Sequence, residues 1–150
     1  YFAADHDRLD SLFAEFMRLK GTDFPSAKTF FKDFLRGLKR HIVWEEDVLF
    51  PIFEERSGMK DEGPTAVMRQ EHRLIGAALE ALHDKVRRAD AACEKEARQL
   101  TDTLLHHNFK EERVLYPAID QMVQPEEAAG IFHDMEAIPQ ERFMTCCGSH

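Results

Sequence analysis

Apolar residues recur at spacings of three and four along four long stretches of the chain. Phe2, Leu9, Phe13 and Phe16 mark the first stripe, and Phe34, Leu38, Val48 and Ile52 the second. Met68, Ile75, Leu79 and Leu82 mark the third, and Leu100, Leu104, Val114 and Ala118 the fourth. One apolar stripe per stretch is the pattern of a helix with one buried face. The pattern predicts helices over about residues 1–20, 26–56, 64–89 and 90–123, with a short fifth over 125–137. Turn chemistry separates them. GTDFPS (21–26) offers Ser26 as an N-cap, and SGMKDEGP (57–64) offers Gly58 as a C-terminal cap and Pro64 as an opening residue. Asp90 is the expected cap of the fourth helix, and PQERFMTCCGSH reads as an irregular tail. The predicted fold is all-α: an up-down-up-down antiparallel four-helix bundle made of two related αα-hairpins, with a short C-terminal fifth helix. Residues 1–123 form the bundle, and 124–150 complete the same single domain.

Each stripe is interrupted by ionisable residues: His6, then His41 and Glu45, then His72, then His107 and Glu111. The interruptions repeat. His6 to His72, His41 to His107, Glu45 to Glu111 and Pro51 to Pro117 are each separated by 66 residues. Apolar positions follow the same period, as in Leu9 with Ile75 and Val48 with Val114. His6 and His41 are equidistant from the first turn, and His72 and His107 from the Ala89–Asp90 boundary. Residues equidistant from the turn of an antiparallel hairpin lie at one height. Each Glu follows its His by four residues, one turn along the same face. The spacing thus predicts one internal layer of four histidines and two glutamates.

Composition narrows the possibilities. The chain has 150 residues, enough for one sizeable core, with 43% hydrophobic and 32% charged residues. Twelve Phe against a single Trp point to a phenyl-rich core. A net charge of -8 disfavours nucleic acid and anionic membranes as partners. No apolar run reaches the ~20 residues of a membrane span, and no signal-peptide pattern is present. Three cysteines (Cys93, Cys146 and Cys147) form neither a disulfide framework nor a CxxC motif, which points to a reducing, cytoplasmic setting.

Burying two carboxylates and four imidazoles without compensation would be severely destabilising. No Lys or Arg lies on the stripes at that height, so a cation is the remaining partner. Six ligands exceed the four of a structural zinc, and four imidazoles argue against calcium and magnesium. Mixed imidazole and carboxylate suits iron, manganese or zinc. The set fits two metals, each with two histidines, bridged by the two glutamates. Iron fits best, with zinc or manganese as alternatives, because an open redox-capable pair binds dioxygen or nitric oxide. A ferritin-type site would need two Glu-x-x-His motifs. Only Glu80 with His83 is present, and that pair reads as surface.

HxxxEExVLFP at His41 and HxxxEExVLYP at His107 stand with a DH pair near the start and an EH pair opening the third motif. In this combination, over about residues 5–121, the chain resembles the haemerythrin-like, or HHE cation-binding, domain family. The resemblance implies a non-haem di-iron centre, oxo- or hydroxo- and carboxylate-bridged, held by His6, His41, Glu45, His72, His107 and Glu111. It departs from the oxygen carriers, which add a histidine where this chain has Gly76 and end on an Asp five residues after its His. It is closer to bacterial proteins linked to nitric-oxide stress and iron–sulfur cluster repair. The expectation is a protein that binds or senses dioxygen or nitric oxide. The alternatives are a di-iron oxidoreductase of peroxidase or nitric-oxide reductase type, fed by an external electron donor, and a metal-stabilised structural module.

Several neighbours carry their own expectations. His106 competes with His107, but its side of the helix is polar and the repeat selects His107. Glu46 and Glu112 read as a solvated face, with support of a ligand histidine as the alternative. Trp44 and Tyr116 read as packing residues near the site, Tyr116 with a possible donor role. Gly76 reads either as tight helix packing or as space for an exogenous ligand. Pro51 and Pro117 are expected to kink their helices past the site. Cys146 and Cys147 read as inert, and His133 as surface.

Overall fold

The computed structural model describes residues 1–144; Cys146 and Cys147 lie outside them. Every regular element among the described residues is helical. α1 (Phe2–Leu19) packs along α2 (Phe24–Trp44). Their close approach depends on Gly37, where a Cβ would lie 2.6 Å from the Leu9 side chain. Asp23, rather than Ser26, caps α2: its carboxylate accepts from the Ser26 backbone N–H at 3.3 Å and from the Ser26 hydroxyl at 2.7 Å. Pro25 can then sit in the first turn, where no N–H is required.

A five-residue π-helical turn, Glu45–Leu49, joins α2 to α3 (Phe50–Ser57), which stops at left-handed Gly58. Pro64 opens α4 (Pro64–Arg87) as expected. Asp90 does not cap the next helix. Its side chain accepts from the Ala92 N–H and from Lys85, holding residues 90–93 in an irregular turn, so α5 (Glu94–Lys110) starts later. A second π turn, Glu111–Leu115, leads into α6 (Tyr116–Met122). A 3-10 turn (Pro125–Glu127), α7 (Ala128–Glu136) and the short α8 (Glu141–Met144) follow, so the tail is helical for one turn where irregularity was expected. α4 packs along α5, and α3 against α6. The arrangement is consistent with the four-helix bundle that the sequence predicts.

The two π turns are the local form of the expected kinks. Pro51 and Pro117 have no N–H, and their rings would crowd the carbonyl four residues back in a regular helix. The chain inserts one extra residue instead: the Phe50 N–H reaches the Glu45 carbonyl and the Tyr116 N–H the Glu111 carbonyl. Pro51 leaves the Glu46 carbonyl without its π-helical donor, and the Arg69 guanidinium donates to it at 3.0 Å. The insertion shifts the buried stripe by one residue. Leu49 and Leu115 are buried where Val48 and Val114 were expected, and Val114 is 58% exposed. Phe53 and Ile119 likewise replace Ile52 and Ala118.

Two apolar cores result. One gathers Phe13, Phe16, Phe31 and Phe34 with Ile75, Leu79, Leu82 and Leu100. The other gathers Leu49, Phe50, Phe53, Met68, Leu115 and Ile119. α7 closes over the second: the Trp44 indole N–H donates to the Met135 carbonyl at 3.0 Å, and Arg56 pairs with Glu127. No helix among the described residues is long and apolar enough to cross a membrane.

Candidate metal centre

The polar layer lies between the two cores. Leu9, Leu38, Ile75 and Leu104, each three residues from a histidine of the layer, belong to the first core; Met68, Leu49 and Leu115 belong to the second. His6, His41, Glu45, His72, His107 and Glu111 are all buried, both glutamates completely. The structure brings all six together. His6 and His41 lie side by side, ring centres 4.6 Å apart, and His72 and His107 pair likewise at 4.8 Å. Donor atoms of Glu45, His72, His107 and Glu111 all lie within 4.8 Å of one another, as do those of His6, His41 and Glu111. Glu111 therefore belongs to both groups.

Carboxylates orient the imidazoles. His41 donates its Nδ1–H to Asp5 Oδ2 at 2.8 Å, and His107 to Glu71 Oε1 at 3.0 Å. His72 donates to Glu46 Oε2 at 2.7 Å. Committing Nδ1 outward leaves Nε2 facing inward as a lone-pair donor. Asp5 and Glu71 are 66 residues apart, as are Glu46 and Glu112, so the support repeats with the ligands. The fourth contact is looser: Glu112 Oε1 lies 3.7 Å from His6 Nδ1. Glu46 is therefore a partner of His72 rather than a member of a solvated face. Arg8 in turn holds Asp5 at 2.9 Å, and Lys110 holds Glu71.

The inward atoms are unsatisfied. Nε2 of His72 and His107, Glu45 Oε1 and Glu111 Oε2 are buried without a hydrogen-bond partner. His72 Nε2 lies 3.3 Å from Glu45 Oε1, and His107 Nε2 3.2 Å from Glu111 Oε1. These contacts are close but not aligned as hydrogen bonds, which is how adjacent ligands of one cation stand. Buried polar atoms are otherwise almost always paired, so the donor set fits a metal. Without one, protons fill the role. Burial disfavours a charged His41, but Glu45 and the Asp5 hydrogen bond outweigh it and raise its pKa to about 10. His72 is raised to about 9, burial being outweighed by Glu45 and Glu46. Burial would raise the Glu45 pKa, but His41, Glu111 and His72 hold it well below the usual range.

Tyr116, read from the sequence as packing near the site with a donor role as the alternative, is a donor within the layer. Its Oη donates to Glu45 Oε2 at 2.7 Å and lies 3.2 Å from both Glu111 Oε1 and His41 Nε2 and 3.3 Å from His6 Nε2. Without a metal, burial, reinforced by Glu45 and Glu111, raises its pKa and keeps it protonated. Five residues after Glu111, it would sit about 140° round a regular helix; the π turn returns it to the same side. Its repeat equivalent, Phe50, stacks on His72 with ring centres 5.7 Å apart.

The remaining candidates separate cleanly. His106 is exposed and bonds the Asp102 carbonyl, and His133 is exposed. His83 is buried, against expectation: it sits beside Phe31 and Arg87 in the first core, while Glu80 stays exposed, so the pair makes no second site. Trp44 packs as expected. Gly76 is not a close-packing glycine, since a Cβ there would meet nothing within 4 Å. Two openings reach the layer. A cleft of about 480 Å³ runs from Asp10, Asp102 and Phe109 to His6 and Glu112. An apolar cavity of about 250 Å³ beneath α7 ends at Tyr116.

A helical protein with a buried, two-fold repeated set of four histidines and two glutamates is a cation-binding protein by design of its core. The chain belongs to the hemerythrin HHE cation-binding domain family, whose model matches residues 1–119. Membership implies a metal, typically iron. Among curated proteins it is similar to the iron-sulfur cluster repair protein YtfE of Edwardsiella ictaluri (strain 93-146), 30% identical over 89 residues. It is 32% identical over 89 residues to the YtfE of Escherichia coli O1:K1 / APEC. Each match covers 53% of this chain and 40% of the relative, so the chain spans well under half of those proteins. No solved structure matches the chain.

Proposed function

We propose that the buried cluster holds two iron ions and that the protein binds or senses dioxygen or nitric oxide, in iron handling or in the response to nitrosative and oxidative stress. Nε2 of His6 and His41 serve one ion, and Nε2 of His72 and His107 the other, with Glu45 and Glu111 shared. The reading takes residues 1–123 as an up-down-up-down bundle, joined by the C-terminal helices into one domain. It places the protein in the cytoplasm, without nucleic-acid or membrane partners.

The observation that carries the reading is the group of four buried donor atoms with no partner. Iron in such a set supplies a reversible electron and an exchangeable position that a diatomic ligand can take. The chain's own residues do the rest. Asp5, Glu46 and Glu71 fix the imidazoles; Glu45 and Glu111 offset the metal charge; the flanking cores bury the ligands. Similarity to YtfE proteins, named for iron-sulfur cluster repair, supports the stress setting.

The test is metal content per chain with the optical spectrum, on protein loaded with iron without air and then exposed to air or nitric oxide. Two irons and a spectrum that responds to the gas are expected. One zinc, or two metals with no spectral response, would overturn the reading and leave a structural metal site.

A further inference from the structure

The two halves of the site repeat in every ligand but differ five residues after each glutamate. Tyr116 stands where the repeat puts Phe50. The difference is chemical, since Phe50 brings no donor atom and lies flat against His72. Tyr116 turns its hydroxyl into the layer, and four ligand atoms surround it: Glu45 Oε2, Glu111 Oε1, His41 Nε2 and His6 Nε2, at 2.7, 3.2, 3.2 and 3.3 Å. In octahedral coordination, metal bonds of about 2.1 Å at right angles set neighbouring ligand atoms about 3 Å apart. The hydroxyl oxygen thus stands at the separation of one more ligand beside the four.

We propose that Tyr116 is a fifth protein ligand of the metal held by His6 and His41. The His72–His107 metal has no such group, so the exchangeable position of the pair falls on that side. This rests on the di-iron reading. Ligation is by the phenolate: the proton that Oη shares with Glu45 Oε2 leaves to solvent, and the iron(III) it binds is produced by air oxidation of the loaded protein.

An iron(III)–phenolate bond has signatures of its own: a visible charge-transfer band and resonance-enhanced phenolate vibrations in the Raman spectrum. The air-oxidised protein with two irons per chain is expected to show both. The vibrations should shift when the protein is made with ring-deuterated tyrosine. The chain has two tyrosines, and Tyr1 is 62% exposed, so Tyr1→Phe should keep the signatures. Tyr116→Phe should lose them while retaining two irons. Wild-type protein with two irons and no phenolate vibrations would overturn the proposal, whatever the variant does. So would a Tyr116→Phe protein that keeps the band, and Tyr116 would then be a hydrogen-bond donor to Glu45 only. Fewer than two irons in wild type would instead sink the di-iron reading, and this proposal with it.

Discussion

At the scale of the residue, the carboxylates behind the histidines matter as much as the histidines. Glu46 accepts from His72 Nδ1 at 2.7 Å and is itself flanked by Arg69. Glu46→Gln keeps the shape and removes the charge that fixes the imidazole. Iron affinity should fall about 10–100-fold, read by competition with a chelator; unchanged affinity would show that His72 needs no such partner. Glu111 belongs to both halves of the cluster. Glu111→Ala should leave fewer than two irons per chain by metal analysis, and retention of two would refute its shared role. Asp5 and Glu71 left a trace in the sequence, as the acid directly before His6 and before His72. That trace resembled an ordinary solvated position, because adjacent residues sit about 100° apart on a helix. Only the neighbouring helix turns them into partners of His41 and His107.

At the scale of the element, the π turns mark where sequence reasoning held and where it failed. The upper half of each ligand helix obeys the 3.6-residue period, so His41, Glu45, His107 and Glu111 were legible from spacing and repeat alone. Below Glu45 and Glu111 the period breaks by one residue, and no stripe-based argument carries a register across it. Val114 and Leu115 separate the two registers. Leu115→Ala should cost about 2–5 kcal/mol, as for a buried leucine. Val114→Ser should stay within about 0.5 kcal/mol, as for a surface site. Denaturant titration of both variants decides, and the reverse order would restore an unbroken helix. The same break decides between packing and donor for Tyr116, whose side chain faces the site because the helix is locally underwound. Gly76 is a simpler matter. Inside α4 with open space at its Cβ, Gly76→Ala should stabilise the protein by about 1 kcal/mol, measured the same way.

At the scale of the whole molecule, the buried cluster ties folding to protons and to metal. His41 and His72 have folded pKa values of about 10 and about 9, above the ~6.5 of an unfolded chain. A raised folded pKa contributes stability that is complete below the unfolded value and is lost as pH rises through the folded one. The metal-free protein should therefore lose stability steadily between about pH 7 and pH 10. Chelated protein followed by denaturant unfolding across that range tests it, and a flat or rising profile would refute it. Metal replaces those protons, so iron should raise the unfolding midpoint, and by more at the alkaline end.

The 66-residue repeat has one more consequence. Each hairpin brings two histidines and one shared glutamate, which is half of a site. Two separate hairpins could meet to complete it, but their encounter would depend on how much protein was present. In this chain residues 58–63 tie the halves together, and the second half is always at hand at a high effective concentration. Bringing the two halves together is thereby an intramolecular step, and only the metal has to arrive from solution.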